Sequence, residues 1–543
     1  MESINSKNGY RILILIPRYV QTEKKYYLYT FPLGMAYISS VLKEAGWGVD
    51  CLNLNHFNGK LEEVINCKLD EKDYDFIATG NNALGYPITK QIIEIIRSHK
   101  PGLKIILGGP IITTNPKLIY DDLKPDFGVI GEAEETIIEL LRILKEEGNL
   151  PEVNGIIYSK DGEIIITEKR VPKRDINSMP LPDFDALEFE ELLENMPCNQ
   201  FYQYNAFDNP RVYPILGSRS CPFNCTFCYH EGSYRVRSVD NIMNELDLMV
   251  RKYGINVIIL YDDCFAIDKE RLKEFCERIK ELREELDWEL KWYPQLTVRD
   301  VTPEILRMMK DSGCDAISFG FESYSQKVLN SMKKPITPEQ IDYAFKETLK
   351  NKMAVQGNFI FGDPAETKET AKETLDYWKK NAQGQIWLDF VQPYPGSEIY
   401  KYCLREGIIK DEIEFMKNLS LISNNINMTK MDNKEFNKMV KDILNADGKY
   451  SKFVVPSFIK ESWKKNYYEV NVTCPFCREN ITYKNCYIEN KHSYSFNILC
   501  RKCCMRFFVA SFIRKIVYPF QGDIRGLRRL QIKMRNYFKD FKR

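Results

Sequence analysis

Apolar residues in this chain alternate between two patterns. Short continuous runs read as buried strands, and longer stretches with apolar residues three and four apart read as amphipathic helices. Arg11-Ile-Leu-Ile-Leu-Ile16 is the first predicted strand, and Pro32 to Gly46 is a helix closed by glycine. Strands follow at 49–54, 75–79, 104–107 and 127–130, with helical patterns between them. Five strands and five helices predict an α/β unit over residues 1–150, a flavodoxin-like doubly wound sheet. Ligands of such sheets sit at the carboxyl ends of the strands. Those ends are glycine-rich here, at Gly80-Asn-Asn-Ala-Leu-Gly85, Gly108-Gly-Pro110 and Gly131-Glu132. Gly80, Gly108, Gly109, Gly131 and Glu132 are therefore candidate ligand contacts, because glycine admits close backbone approach. No Gly-x-Gly-x-x-Gly follows the first strand, which argues against a dinucleotide.

Residues 151–205 read as a joining segment. Asn154 to Ile166 carries an Asp-Gly turn and predicts a hairpin, and Pro180-Leu-Pro-Asp-Phe-Asp185 a proline-stiffened linker. Over 206–405 the strand–helix alternation resumes, with strands at 212–216, 257–263 and 316–323. Short apolar strands separated by helices predict a parallel βα barrel or partial barrel. Chemistry in such barrels collects at the carboxyl ends of the strands. A polar, mostly helical stretch (406–465), a β-rich stretch (466–510) and a basic tail (511–543) complete the chain.

Cysteine spacing adds chemistry to this outline. Cys221-Pro-Phe-Asn-Cys225-Thr-Phe-Cys228 places three thiols in eight residues. A closed zinc site takes four ligands, so one reading is zinc with a remote fourth ligand. The other is a [4Fe–4S] cluster with three irons held by thiolate and the fourth open. The segment resembles the radical SAM superfamily, and the resemblance runs from about Val212 to Tyr400. It implies a partial (β/α)6 TIM-type barrel and a cluster on Cys221, Cys225 and Cys228. It also implies S-adenosylmethionine on the open iron, split reductively to a 5′-deoxyadenosyl radical. Phe227 offers an aromatic face beside the cluster. Asp262 and Asp263 end the strand where the family often has Gly-Gly-Glu, which is absent here. Glu322 matches a carboxylate near the SAM ribose and amine. Asn358 to Glu366, with Gly362, resembles the family's Gly-x-Ile-x-Gly-x-x-Glu strand, with Asn358 in place of the first glycine. Asp262 and Asp263 capping the helix near Lys269, and a lysine partner for Glu322, are the structural alternatives.

The first unit, through Pro-Leu-Gly-Met-Ala-Tyr, Gly-Gly-Pro and Gly-Glu-Ala-Glu, resembles the cobalamin-binding domain that precedes many radical SAM barrels. His56-Phe-Asn-Gly59 imitates the end of a cobalt-ligating Asp-x-His-x-x-Gly motif, but Leu54 stands where the Asp belongs and the segment follows the second strand. His56 is read as a surface or loop histidine.

Near the end, Cys474-Pro-Phe-Cys477 and Cys500-Arg-Lys-Cys503 lie twenty-two residues apart. Two such knuckles predict a structural Zn²⁺ site in a small C-terminal zinc ribbon, with an auxiliary iron–sulfur cluster as the rival. Cys486 and Cys504 are spare thiols. The tail holds ten Lys/Arg and two Asp, and Ile524, Leu527, Leu530, Met534, Phe538 and Phe541 recur at helical spacing. Such a helix docks on the protein body, or meets a membrane surface or nucleic acid.

Charge names no partner: 77 Lys and Arg face 76 Asp and Glu. No apolar run approaches the ~20 residues that span a bilayer, and the N-terminus lacks a signal-peptide core. A cytoplasmic location follows as the expectation, with the 16 cysteines serving as ligands and buried thiols. The function expected is a cobalamin-dependent radical SAM enzyme that methylates an unactivated carbon. Its partners are a small-molecule or carrier-bound substrate and an electron donor such as flavodoxin or ferredoxin. Two alternatives stay open: a radical rearrangement or cyclisation with or without cobalamin, and a nucleic-acid-binding metalloprotein built on the zinc ribbon and tail.

Overall fold

The computed structural model describes residues 9–18, 29–382, 384–419 and 426–524. Most of the basic tail lies outside the described residues. Strands β1 (Arg11–Ile16), β2 (Gly48–Asn53), β3 (Phe76–Gly80), β4 (Lys104–Gly108) and β5 (Phe127–Val129) form a parallel sheet in the order β2-β1-β3-β4-β5. The alternation within β1 shows why helices cover both faces. Ile12, Ile14 and Ile16 pack with the helices Leu33–Glu44 and Glu134–Lys145, while Leu13 and Leu15 pack with Leu61–Glu71 and Tyr86–His99.

The hairpin expected in the joining segment belongs to this sheet instead. β6 (Ile156–Lys160) pairs antiparallel with β5, and β7 (Glu163–Ile166) pairs with β6. The exposed edge of β5 needed a partner, and Ile156, Ile157 and Tyr158 supply a buried one. The proline segment is also pinned rather than free. Asp183 accepts a hydrogen bond from Ser39 and pairs with Lys43, and Phe184 stacks on Phe31 at 4.8 Å. Phe184 meets Tyr213 at 4.9 Å, so an aromatic chain joins the first unit to the second.

The second unit holds six parallel strand positions: β8 (Val212–Ile215), β11 (Val257–Leu260), β12 and β13 (Lys291–Tyr293, Gln295–Leu296), β14 (Ala316–Glu322), β15 (Ala354–Phe361) and β16 (Trp387–Phe390). Between β8 and β11 lie two short strands, β9 (Ser218–Arg219) and β10 (Arg235–Val236), paired antiparallel. Pro294 separates β12 from β13, because proline cannot donate to a ladder. Among the described residues β8 and β16 are sheet edges, so the barrel stays open between them.

The C-terminal module closes on that barrel. β17 (Phe453–Val454), β18 (Phe458–Glu461), β19 (Tyr467–Thr473), β20 (Asn480–Tyr487), β21 (Ser495–Leu499) and β22 (Arg506–Ala510) make two three-stranded sheets. Arg506, 2% exposed, donates to the carbonyls of Gly384 and Gln385 and lies 3.9 Å from the Trp387 ring centre. No described helix is long and apolar enough to cross a membrane.

Candidate functional site

The cysteine loop sits at the carboxyl end of β8, bracketed by the β9–β10 ladder, in which Arg219 lies opposite Arg235. Ser220 enters it with φ of 65° and hydrogen-bonds the Gly232 carbonyl and His230 Nδ1. His230 Nε2 bonds the Phe223 carbonyl at 2.8 Å. Thr226 donates to the Met332 carbonyl and accepts from Ile399, which threads the loop between two barrel segments. Cys221 and Cys225 are half-buried and Cys228 is exposed. Their three sulfurs do not converge within 4.8 Å of one another, whereas the four C-terminal thiols do.

The aspartates expected to grip SAM have separate fates. Asp262 is 2% exposed and accepts from the Gly217 amide at 2.8 Å and the Ser218 hydroxyl at 2.5 Å. It holds the turn that leads into the cysteine loop, and burial pushes its carboxyl up. Neither aspartate caps the next helix, since Asp268 does so through the amides of Glu270 and Arg271. Asp263 stays exposed at the strand end, on the side of Cys221 and Cys228.

Glu322 pairs with Lys334 at 2.8 Å. A Cβ at Gly320 would lie 2.4 Å from the Glu322 carboxylate and 2.5 Å from Lys334 Nζ, so glycine leaves room for this pair. Burial opposes the Lys334 charge, but Glu322 and the Cys225 thiol override it and hold the ammonium above its ordinary range. Phe227 packs, half-buried, against Val328, Ile399 and their neighbours. Gly362 adopts φ of 103°, open to glycine and strained for other residues.

Two neighbours of the loop escaped the sequence reading. Cys264 Sγ lies 3.9 Å from Cys221 Sγ, and its hydrogen bond lowers the Cys221 thiol. Lys334 is the other. Cys264 directly follows Asp262-Asp263 at the strand end, a signal that was present but carried no spacing motif.

Glu366 is 2% exposed, and burial pushes its carboxyl up to about 7, against hydrogen bonds from Thr370 and the Gly362 amide. Its pKa is raised on folding, so its contribution to stability is full below about 4.5 and is lost as pH rises through about 7. Glu366→Gln is expected to remove that slope, about 3 kcal/mol, in chemical denaturation measured from pH 4 to 8. An unchanged slope would show that Glu366 titrates normally.

In the first unit, the carboxyl ends of β3, β4 and β5 bring Gly80, Gly108, Gly109 and Gly131 together. A Cβ at Gly80 would lie 3.0 Å from the Gly108 carbonyl, and one at Gly109, where φ is 83°, 2.8 Å from the Asn81 carbonyl. These two glycines let neighbouring loops approach each other. Gly131 has φ of 85° and faces open space. Glu132 has two arginine partners. Its carboxylate binds Arg219 at 2.9 Å and also Arg235, while Glu134 takes the other Arg219 nitrogen at 2.5 Å. His56 is not a surface residue. It is 5% exposed, with Nδ1 2.8 Å from Glu188 and Nε2 3.1 Å from the Asn53 amide.

In the C-terminal module, Cys474 and Cys477 sit between β19 and β20, and Cys500 and Cys503 between β21 and β22. Cys474 lies 3.8 Å from Cys503, and Cys477 3.6 Å from Cys500. Tetrahedral zinc with ~2.3 Å bonds places sulfurs about 3.8 Å apart. The spare thiols are elsewhere. Cys486 faces Cys198 at 3.4 Å, and Cys504 joins the main core.

Comparison with known proteins agrees with this layout. A Radical SAM superfamily model matches residues 215–377, and a B12 binding domain model matches residues 24–141. An uncharacterized methyltransferase of Pyrococcus horikoshii is 27% identical over 387 residues, covering 70% of this chain and 79% of that protein. In fold, the chain is similar to the radical S-adenosylmethionine methyltransferase TsrM from Kitasatospora setae, solved with cobalamin and a [4Fe–4S] cluster bound. The TM-score is 0.59 at 15% identity, over 73% of this chain and 75% of that one. It is also similar to the cobalamin-dependent S-adenosylmethionine radical enzyme OxsB, with a TM-score of 0.57 at 21% identity, over 79% of this chain and 60% of that one.

Proposed function

Since the chain belongs to the radical SAM superfamily and carries a B12 binding domain ahead of its barrel, we propose that it transfers a methyl group to an unactivated carbon. The observation that carries this reading is the ion cluster of Glu132, Glu134, Arg219 and Arg235. Arg219 lies two residues before Cys221, and Glu132 directly follows Gly131. The cluster therefore clamps the end of β5 onto the cysteine loop, so that an iron–sulfur cluster on that loop and a corrin at those strand ends would lie side by side. The name of the Pyrococcus relative supports methyl transfer as the outcome.

Cys221, Cys225 and Cys228 would hold the [4Fe–4S] cluster, and the glycine-walled ends of β3, β4 and β5, with Gly131 facing open space, would hold cobalamin. When bound, the cluster supplies the electron that cleaves SAM to a 5′-deoxyadenosyl radical, and cobalamin supplies a methyl group. The chain's own residues position and shield. Asp262 fixes the entry to the cysteine loop. Lys334 holds a positive charge beside Cys225 and Cys264. Asp263, Glu322, Phe227 and Gly362 line the same strand ends and would meet SAM. The four thiols at 474, 477, 500 and 503 would hold a structural zinc, with no position left open. A low-potential flavodoxin or ferredoxin would reduce the cluster in the cytoplasm.

The test is anaerobic reconstitution with iron, sulfide and cobalamin, followed by SAM and a reductant. Cleavage of SAM that depends on iron, together with bound corrin, is the expected result. Full turnover by corrin-free protein would remove cobalamin from the reaction, and absence of cleavage would remove the radical chemistry.

A further inference from the structure

A cavity of about 1150 Å³ lies against β15 and β16. Its walls come from four parts of the chain: Asn58 of the first unit, residues 195–203 of the joining segment, the inward faces of β15 and β16, and the C-terminal module from Lys464 to Asn497. It shares Tyr202, Gln203 and Gln356 with a cavity of about 330 Å³ inside the barrel, which extends to Tyr261 and Asp262. Asp262 supports the cysteine loop, so the two spaces lead from the C-terminal module toward the proposed reaction centre.

Unpaired polar groups in its wall point to a ligand. The Asn497 Oδ1 atom is buried with no hydrogen-bond partner. Asn358 is exposed on a strand whose neighbours Gly357 and Phe359 are buried, and its side chain makes no hydrogen bond among the described residues. Gln356 accepts from Tyr202 at 3.0 Å and from Gln203 at 2.5 Å, which turns its amide nitrogen to the cavity. A polar group buried without a partner costs about 1–3 kcal/mol, and amides that both donate and accept carry no charge. The charged lining residues, Asp389, Glu489, Lys464 and Lys465, cancel. Trp387 and Phe496 add flat aromatic walls, and Trp463 beside the rim is 96% exposed.

We infer that this cavity is the substrate site, and that its ligand is a neutral molecule bearing an array of hydroxyl or amide groups and one flat face. The inference deepens the proposed function and rests on it for the reaction performed there. A lipid chain would leave the wall's unpaired amides without partners, and the wall charges cancel where a polyanion would need an excess of cations. The volume exceeds the roughly 300–1,000 Å³ of an ordinary small-molecule pocket, so the ligand is large or is part of a longer molecule. The C-terminal module then forms one wall of the substrate site, and zinc holds that wall in place.

Ligand-observed NMR saturation transfer on the full chain, loaded with cluster, cobalamin and zinc, tests the inference. The probes are maltotriose for the hydroxyl array and N-acetyl-trialanine amide for the amide array, with palmitate and ATP as contrasts. Transfer to one of the neutral probes is expected, reduced at least fivefold in Gln356→Leu and in Asn358→Leu. The neutral probe that binds identifies the source of the array. Iron and zinc contents equal to the unsubstituted chain establish that each variant is folded. The inference is overturned if neither neutral probe binds, if both variants retain binding, or if palmitate or ATP binds in preference. Probe binding with no SAM cleavage would overturn the reaction and leave the cavity assignment standing.

Discussion

Replacing Cys225 with alanine is expected to lower iron from about four atoms per chain to near zero, and SAM cleavage to that of the protein-free mixture. Zinc should remain at about one per chain. Cys225 is the middle thiol of the loop, and the next residue, Thr226, ties the loop to Met332 and Ile399. The backbone can therefore keep its path while the ligand set falls from three to two. Cys264, 3.9 Å from Cys221, is a nearby thiol placed to substitute. A double variant, Cys225→Ala with Cys264→Ala, separates rescue from retention. If the single variant keeps four irons and the double variant also keeps them, the loop is not the cluster site. Iron and zinc measured together by plasma emission, with the visible absorption of the cluster, decide the matter.

Removing zinc through Cys477→Ser is expected to open the C-terminal module while the cluster still loads. The module has a small core of its own, built on residues such as Val470, Val472, Tyr483, Ile498 and Phe507. Cores of this size need a staple, and structural zinc contributes on the order of 10–16 kcal/mol of apparent binding energy. Without it, β22 separates from the barrel and Arg506 gives up its hydrogen bonds to the Gly384 and Gln385 carbonyls. Limited trypsin digestion should then cut between residues 453 and 510, with the barrel intact. A variant that lacks zinc and resists trypsin like the unsubstituted chain would show that packing alone holds the module.

How far the sequence could be read depended on the range of the interactions. The doubly wound pattern, the βα-barrel pattern, the order of units and both cysteine sets were legible because strand and helix periodicity and ligand spacing are local properties. The structure keeps β1 to β5, β8, β11 and β14 close to where the apolar runs placed them, whereas β12 and β13, split by Pro294, carried no such run. Longer-range matters were misread. His56 looked exposed because nothing in its own segment shows that Glu188, 132 residues away, caps its ring. Nothing around Glu132 in sequence announced Arg219 and Arg235, which arrive from the barrel. The hairpin at 154–166 was legible as a hairpin, but its attachment to β5 was not, since an edge strand accepts any partner of suitable register.

The sequence by itself determined the chemistry that depends on neighbours within a few residues. It set out three thiols on one loop, four on two knuckles, and glycines at strand ends. Only the tertiary structure decided what those groups face. It turned Asp262 into a support for the loop, placed Lys334 and Cys264 beside it, and clamped the first unit to the barrel through half-buried ion pairs. It also assembled a polar cavity from four distant segments. Burial and pairing energies are set by groups brought together from far along the chain, and no local pattern of residues records them.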